Sequence, residues 1–328
     1  MRKLKIHNEI WPYKTVFRIS REARTSSALI MVEISEHGLV GRGECCPYPR
    51  YGETVESVVA DIERIQTLVE KGISNNDLLS ELPAGAARNA IDCALLDLQS
   101  KQQNISVAKL LGLKPHFSGQ TVETIVIDSL EVMAAKAELC KNYPVLKVKL
   151  DAVDIIPRIK AVHENAPNAK IIIDANEAWS LDILQSVDGK LANLAVVLIE
   201  QPLHADADAC LENYSGLIPL CADESTKSGA DYAALRKRYD CLNIKLDKTG
   251  GLTAALRDIE RAKQHGFKIM VGCMVGTSLA MAAAAHLAQF ADFLDIDGPI
   301  FLKNDRENPM TFHVGQYKFQ QTGLWGEG

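Results

Sequence analysis

The sequence predicts an α/β protein whose core is a closed barrel of eight parallel strands, with a separate α+β region ahead of it. Two observations carry that prediction. From about residue 121, eight short β-like runs alternate with helical segments, and their ends fall roughly 22 to 27 residues apart, slightly tighter than about 250 residues for eight strand–helix units implies. Before residue 121 the chain reads instead as a strand pair followed by helices. A doubly wound open sheet is the competing architecture. It needs a phosphate or nucleotide loop, and neither GxGxxG nor GxxxxGK[ST] occurs in the 328 residues.

Taken in order, "MRKLKIHNEIWPYK" has basic residues but no apolar run behind them, so it lacks the pattern of a secretory leader. "SALIMVEISEHGLVGRGECCP" alternates and predicts two strands around a turn at His37 and Gly38. "TVESVVADIERIQTLVEKG" has apolar residues at helical spacing, with Gly72 as its expected C-terminal cap. "PAGAARNAIDCALLDLQSKQQN" predicts a second helix. The eight barrel runs are "VETIVI", "VLKVKL", "AKIIID", "AVVLIE", "IPLCAD", "CLNIKL", "FKIMVG" and "FLDID". Helices between them include "SLEVMAAKAELCKN", "DIIPRIKAVHENA" and "TAALRDIERAKQHG". The tail contains "TFHVGQYKFQ" and Trp325, and is expected to form a strand or two that return to the first region. The expected division is 1–120, 121–300 and 301–328.

Composition narrows the function classes. With 47% hydrophobic residues the chain can bury a large core. A net charge of -6 and a pI near 5.8, with no dominant basic patch, argue against nucleic acid or an anionic membrane as a partner. "SLAMAAAAHLAQFA" is broken by His286 and Gln289 and is too short to span a bilayer, so it predicts a buried helix. The eight cysteines are scattered without a CxxC, mostly in apolar settings such as "IDCALLDL". That pattern predicts reduced, buried thiols in a cytoplasmic protein, not a disulfide framework or a zinc site.

The charges at the strand ends point to chemistry. "IIIDAN" ends in Asp174, "VLIEQP" in Glu200 and "PLCADES" in Asp223. Each acid follows an apolar run directly, and in a barrel those C-terminal ends are neighbours on the catalytic face. Any one of them could simply cap the next helix. Three on consecutive strands would repel one another unless a cation lay between them, and oxygen-only ligands suit Mg²⁺.

Lys147 and Lys149, residues i and i+2 of "VLKVKLD", share one face of the preceding strand, and "NIKLDKTGG" places Lys245 on the following one. The lysine strands thus flank the carboxylate strands. A buried lysine can be a plain salt bridge. Desolvation and neighbouring cations, however, lower its pKa toward that of a working base. Lysines on both faces of a carbon α to a metal-bound carboxylate could remove a proton from one side and return it from the other.

With these residues in place, the constellation closely resembles the enolase superfamily, its muconate-lactonizing subgroup, and within it the dipeptide epimerases. The resemblance runs over nearly the whole chain, through "GECCPYPRYGET", "LPAGAARNAIDCALLDL", "LKVKLD", "DANEAW", "EQPL", "ADES", "NIKLDKTGGL", "GCMVGTS" and "DIDGP". It implies a modified TIM barrel, (β/α)7β, behind an N-terminal α+β capping domain. It also implies epimerisation of the C-terminal residue of L-Ala-D-Glu or L-Ala-L-Glu through a metal-stabilised enediolate, in murein peptide metabolism.

Carried over by position, the resemblance makes Asp174, Glu200 and Asp223 ligands of one Mg²⁺ per subunit, and Lys149 and Lys245 the two acid/bases. Lys147 would touch the substrate carboxylate and help keep Lys149 deprotonated. Asp295 and Asp297, i and i+2 in "DIDGP", would receive the free ammonium of the dipeptide. "RISREART" corresponds to a mobile loop over the site, with Arg24 rather than Arg21 expected at the glutamate side chain. Thr124 is a further substrate contact. The expected partner is a small-molecule dipeptide, and a homo-oligomer is left open.

Alternatives are a dipeptide epimerase of other preference, a cycloisomerase, an o-succinylbenzoate synthase or an N-acylamino acid racemase on the same core. A Schiff-base enzyme using Lys245 and an inactive dipeptide-binding barrel stand further off.

Overall fold

The structure, a computed structural model, describes residues 1–115, 117–319 and 323–328. The chain opens with an antiparallel sheet of β1 (Lys3–Arg18), β2 (Ala23–Glu36) and β3 (Leu39–Cys45) in that order. The β2–β3 turn lies at His37 (φ 52°) and Gly38 (φ 81°), the expected place. Strand β1 was not anticipated. It is an edge strand whose side chains are largely solvent-facing, and it includes Pro12, so it shows little of the apolar alternation that marks a half-buried strand.

Helices Val55–Glu70 and Ala86–Gln103 pack on this sheet, burying Val58, Ile62, Ala90, Ile91 and Leu95 against Ile30, Val32 and Ile34. Thr54 and Ser57 form a capping box at the start of the first helix. Its C-cap is Lys71, and Gly72 follows at φ 97° with its N–H on Val69 O at 3.0 Å. The second helix lies so close to β3 that a Cβ at Gly43 would be 2.0 Å from Ala90 O. Only glycine permits that approach.

After β4 (Ser118–Gln120) come the eight barrel strands: β5 (Glu123–Ile125), β6 (Val145–Lys149), β7 (Lys170–Asp174), β8 (Val196–Glu200), β9 (Leu220–Ala222), β10 (Cys241–Ile244), β11 (Lys268–Val271) and β12 (Phe293–Leu294). They pair in sequence order, all parallel. Val122 N donates to Leu294 O at 3.0 Å, joining the first strand's edge to the last. Helical segments bridge the strands, although β8 reaches β9 through a 3₁₀ stretch, Ala205–Asn213. Among the described residues no α-helix follows β12, only a short 3₁₀ turn, Gly298–Phe301. Instead β13 (Thr311–His313) and β14 (Gln316–Lys318) form a small sheet with β4, and Trp325 Nε1 donates to Arg42 O at 2.9 Å. Gln320, at the end of the expected tail strand, lies outside the described residues. The fold is therefore α/β, an eight-stranded parallel barrel behind an antiparallel cap.

The interior of the barrel is layered by the two-residue period of each strand. Val122, Ile172, Leu198, Cys221, Cys241 and Met270 form an apolar layer. Two residues further along the same faces stand Thr124, Asp174, Glu200, Asp223 and Asn243. The shift from apolar to charged side chains along one face creates the site. The apolar run at Ser278–Ala285 is a buried helix, and no helix among the described residues is long and apolar enough to cross a membrane.

Candidate active site

Each inward charge is set by its strand's register. Lys149 lies opposite Asp174, and Asp174 opposite Glu200, across the β6–β7 and β7–β8 ladders. Lys149 Nζ is 2.5 Å from Asp174 Oδ2, and Lys245 Nζ is 2.7 Å from Asp223 Oδ2. Lys147, 1% exposed, reaches Asp295 Oδ2 at 2.6 Å, Glu200 Oε2 at 2.7 Å and Asp174 Oδ2 at 3.3 Å. The structure therefore gathers Lys147, Lys149, Asp174, Glu200, Asp223, Lys245 and Asp295 into one buried cluster.

For two of these lysines the direction is the reverse of what desolvation gives on its own. Burial alone would drive Lys147 down, yet Asp295, Glu200 and Asp174 hold it well above the ordinary lysine range. Burial opposes Asp223 and Glu200 at Lys245 in the same way, and again the carboxylates win. Counter-charges a few ångströms away outweigh desolvation here. Asp174 is correspondingly pulled down to about 2: its burial works the other way, but Lys149 and Lys147 dominate. Glu200 is pushed up by burial and by the charge of Asp174.

Asp174, Glu200 and Asp223 are buried to 2% exposure or less. Glu200 Oε1 accepts from Asn243 Nδ2 at 2.7 Å. Glu200 Oε2 lies 2.7 Å from Lys147 Nζ as an ion pair and has no hydrogen bond. A buried carboxylate oxygen without a hydrogen bond, within an all-oxygen donor set, fits a small hard cation. Cys273 Sγ with the Asp295 and Asp297 carboxylates makes a second group, all within 4.8 Å of one another. There Lys147 already sits on Asp295, and Thr124 N donates to Asp297 Oδ2 at 2.7 Å. Thr124 thus spends its backbone N–H on Asp297, opposite Lys147 in the β5–β6 register.

The cap closes the mouth. Ile19 N bonds Glu22 O at 2.9 Å, so the link from β1 to β2 is a tight turn. Arg21 Nη1 reaches Glu224 Oε1 at 2.7 Å, Asn176 O at 2.9 Å and Glu177 Oε2 at 3.0 Å. Arg50 grips the same Glu177 through both oxygens, at 2.6 and 2.7 Å. Arg21 is committed to the barrel. Arg24 instead pairs with Glu22 at 2.7 Å and lies over the Tyr48 ring at 4.7 Å. It faces a cavity shared with Lys149, Lys245, Asn176 and Tyr51.

Several contributing residues escaped the sequence reading. Lys248 Nζ donates to Asp223 Oδ1 and O, both at 2.6 Å, so Asp223 carries a lysine on each oxygen. Gln201, in a left-handed conformation at φ 36°, accepts from Asp223 N at 2.9 Å. Asn176 Oδ1 is buried without a partner beside the cavity. For Lys248 the available signal was a second lysine three residues after Lys245.

Comparison with known proteins follows the same outline. A family model described as Enolase C-terminal domain-like matches residues 131–321, and one described as Mandelate racemase / muconate lactonizing enzyme, N-terminal domain, matches residues 1–112. The L-Ala-D/L-Glu epimerase of Escherichia coli (strain K12) is 44% identical over 318 residues, 96% of this chain and 99% of that one. The N-acetyl-D-glutamate racemase of a Pseudoalteromonas species is 42% identical, covering 91% and 95%. Among solved structures, an enolase family member from Agrobacterium tumefaciens with homology to dipeptide epimerases, with bound sodium and L-Ala-L-Glu, superposes with a TM-score of 0.96 at 43% identity, covering 99% and 100%. The dipeptide epimerase of Methylococcus capsulatus, complexed with Mg and L-Arg-D-Lys, gives 0.88 at 30% identity, covering 98% of each chain.

Proposed function

The chain belongs to the mandelate racemase/muconate lactonizing enzyme family of the enolase superfamily, and from that premise we propose that it is a Mg²⁺-dependent dipeptide epimerase interconverting L-Ala-D-Glu and L-Ala-L-Glu. One observation carries the reading. Lys149 and Lys245 flank three consecutive carboxylate strands, each salt-bridged to a different one of the outer acids.

Asp174, Glu200 and Asp223 are the residues that would hold Mg²⁺. When bound, the ion takes up carboxylate charge that holds the lysines protonated and, as a Lewis acid, stabilises charge developing on the substrate carboxylate. Lys149 then takes the α-proton from one face, and protonated Lys245 delivers one from the other, with the roles reversed in the opposite direction. Asp295 and Asp297 receive the dipeptide's ammonium, and Lys147 serves its carboxylate and helps keep Lys149 deprotonated. Arg24 meets the glutamate side chain, while the Arg21 and Arg50 contacts to Glu177 exclude water from the closed mouth.

L-Ala-D-Glu is a fragment of murein peptides, so the reaction would serve their breakdown or recycling. The eight cysteines are all free thiols, which supports a cytoplasmic setting. A second reading, racemisation of N-acyl-glutamate, is favoured by the Pseudoalteromonas relative. Incubating the protein with Mg²⁺ and L-Ala-L-Glu, and separately with N-acetyl-glutamate, separates the two. Appearance of L-Ala-D-Glu supports the epimerase. Turnover of the acetylated amino acid alone would replace it with the racemase.

A further inference from the structure

Lys245 leads into the stretch "LDKTGGL", and the far end of that stretch is held from outside the barrel. The short helix Leu246–Thr249 ends at Gly250 (φ 75°), and the helix Leu252–Gln264 starts immediately after Gly251 (φ 106°). Two helix ends this close expose the carbonyls of the first and the amides of the second. The second helix has no side-chain cap from its own loop.

The capping-domain helix Ala86–Gln103 supplies what is missing. Arg88 Nη2 donates to Thr249 O at 2.7 Å and Nε to Gly250 O at 3.1 Å, while Nη1 donates to Leu82 O at 3.0 Å and Leu79 O at 3.3 Å within the cap. One turn along, Asp92 Oδ2 accepts from Thr253 N at 3.0 Å, the N-cap interaction supplied in trans. Between them, Asn89 Nδ2 donates to Asp247 Oδ1 at 2.9 Å. The fit leaves no room at the corner: a Cβ on Gly250 would be 2.4 Å from Arg88 Nε, and one on Gly251 2.5 Å from Asp92 Oδ2.

This corner is wired to the chemistry. Lys248 N and Thr249 N both donate to Lys245 O at 3.0 Å, and Lys248 Nζ clamps Asp223. We propose that Arg88 and Asp92 are positioning residues for Lys245, so that the capping domain sets one of the two acid/bases as well as covering the site. The inference rests on the two-base reading above. It differs from a generic stabilising role because it is one-sided: among the described residues Lys149, on the opposite flank, bonds Asp174 and makes no hydrogen bond or ion pair with this corner.

α-Proton exchange in D₂O, followed separately for L-Ala-D-Glu and L-Ala-L-Glu by mass spectrometry, tests it. The epimer whose exchange disappears in Lys245→Met is the one Lys245 deprotonates. In Arg88→Lys and in Asp92→Asn, exchange of that epimer is expected to fall at least about tenfold while exchange of the other stays within about threefold. Circular dichroism reports folding, and isosteric Asp92→Asn decides alone if Arg88→Lys does not fold. Equal losses on both epimers, or no loss on either, overturn the proposal. A wild-type protein that exchanges neither epimer overturns the epimerase reading and the proposal with it.

Discussion

Lys149 and Asp174 are register partners across the β6–β7 ladder, and the lysine ammonium lies 2.5 Å from Asp174 Oδ2. In the proposed reaction the same carboxylate serves an acid/base and the metal set. Removing the metal with EDTA should therefore abolish turnover, and added Mg²⁺ should restore it. Asp223→Asn should weaken Mg²⁺ binding by at least about tenfold in a calorimetric titration, in keeping with the charge dependence of hard-cation sites. Full activity in EDTA would remove the metal from the account.

Asp297 is the cleaner probe of the proposed ammonium subsite, because Lys147 sits on Asp295 and not on Asp297. Truncating one partner of a buried charge pair costs about 2 kcal/mol or more. Asp297→Asn should thus lower kcat/KM for L-Ala-L-Glu by roughly 30-fold, measured by polarimetry. Any turnover of N-acetyl-glutamate, which has no ammonium, should change far less. Equal effects on both substrates would mean that Asp297 does not read the amine.

Arg24 has one counter-ion and an aromatic face, whereas Arg21 is bound to three barrel acceptors. A hydrogen bond to a charged group contributes about 1.5–3 kcal/mol. Arg24→Met should raise KM for glutamate dipeptides by roughly tenfold or more, with little effect on a dipeptide ending in leucine. A parallel rise for both would assign Arg24 to the loop alone.

Much of this was legible in the sequence for a physical reason. Parallel barrel strands are buried on both faces, so they read as apolar runs, and the polar residues ending them stand out as Asp174, Glu200 and Asp223 do. Strand β1 was not legible because its residues mostly face solvent. Lys248 and Gln201 were not, because a lysine in a turn is usually solvated and a glutamine carries no charge signal. The raised pKa of Lys147 was beyond reach as well. One strand does not reveal that Asp295, Glu200 and Asp174 converge on its lysine from three others.

Asp247 gives a pH dependence of stability. Burial raises its carboxyl pKa to about 7, with the charges of Glu53 and Glu44 acting the same way, while bonds from Cys46 N and Asn89 oppose them. The folded state then binds a proton that the unfolded chain releases near pH 4. This favourable contribution is present at low pH and is lost as pH rises toward 7. Asp247→Asn, which cannot ionise, should flatten that slope and raise Tm at pH 8 by roughly 2 °C, the equivalent of about 1 kcal/mol in a chain this long. A thermal melt series from pH 5 to 8 with parallel slopes for both proteins would contradict it.

The central claim is that Lys149 and Lys245 work on opposite faces of one carbon, and α-proton exchange in D₂O with Mg²⁺ tests it most directly. Wild-type protein should epimerise both L-Ala-D-Glu and L-Ala-L-Glu with deuterium incorporation. Lys149→Met and Lys245→Met should each lose epimerisation by about three orders of magnitude or more, consistent with the scale of general acid–base contributions. Each variant should still exchange one epimer, and the retained epimer should differ between them. Retention of the same epimer by both, or of both epimers by either, would contradict the two-face arrangement.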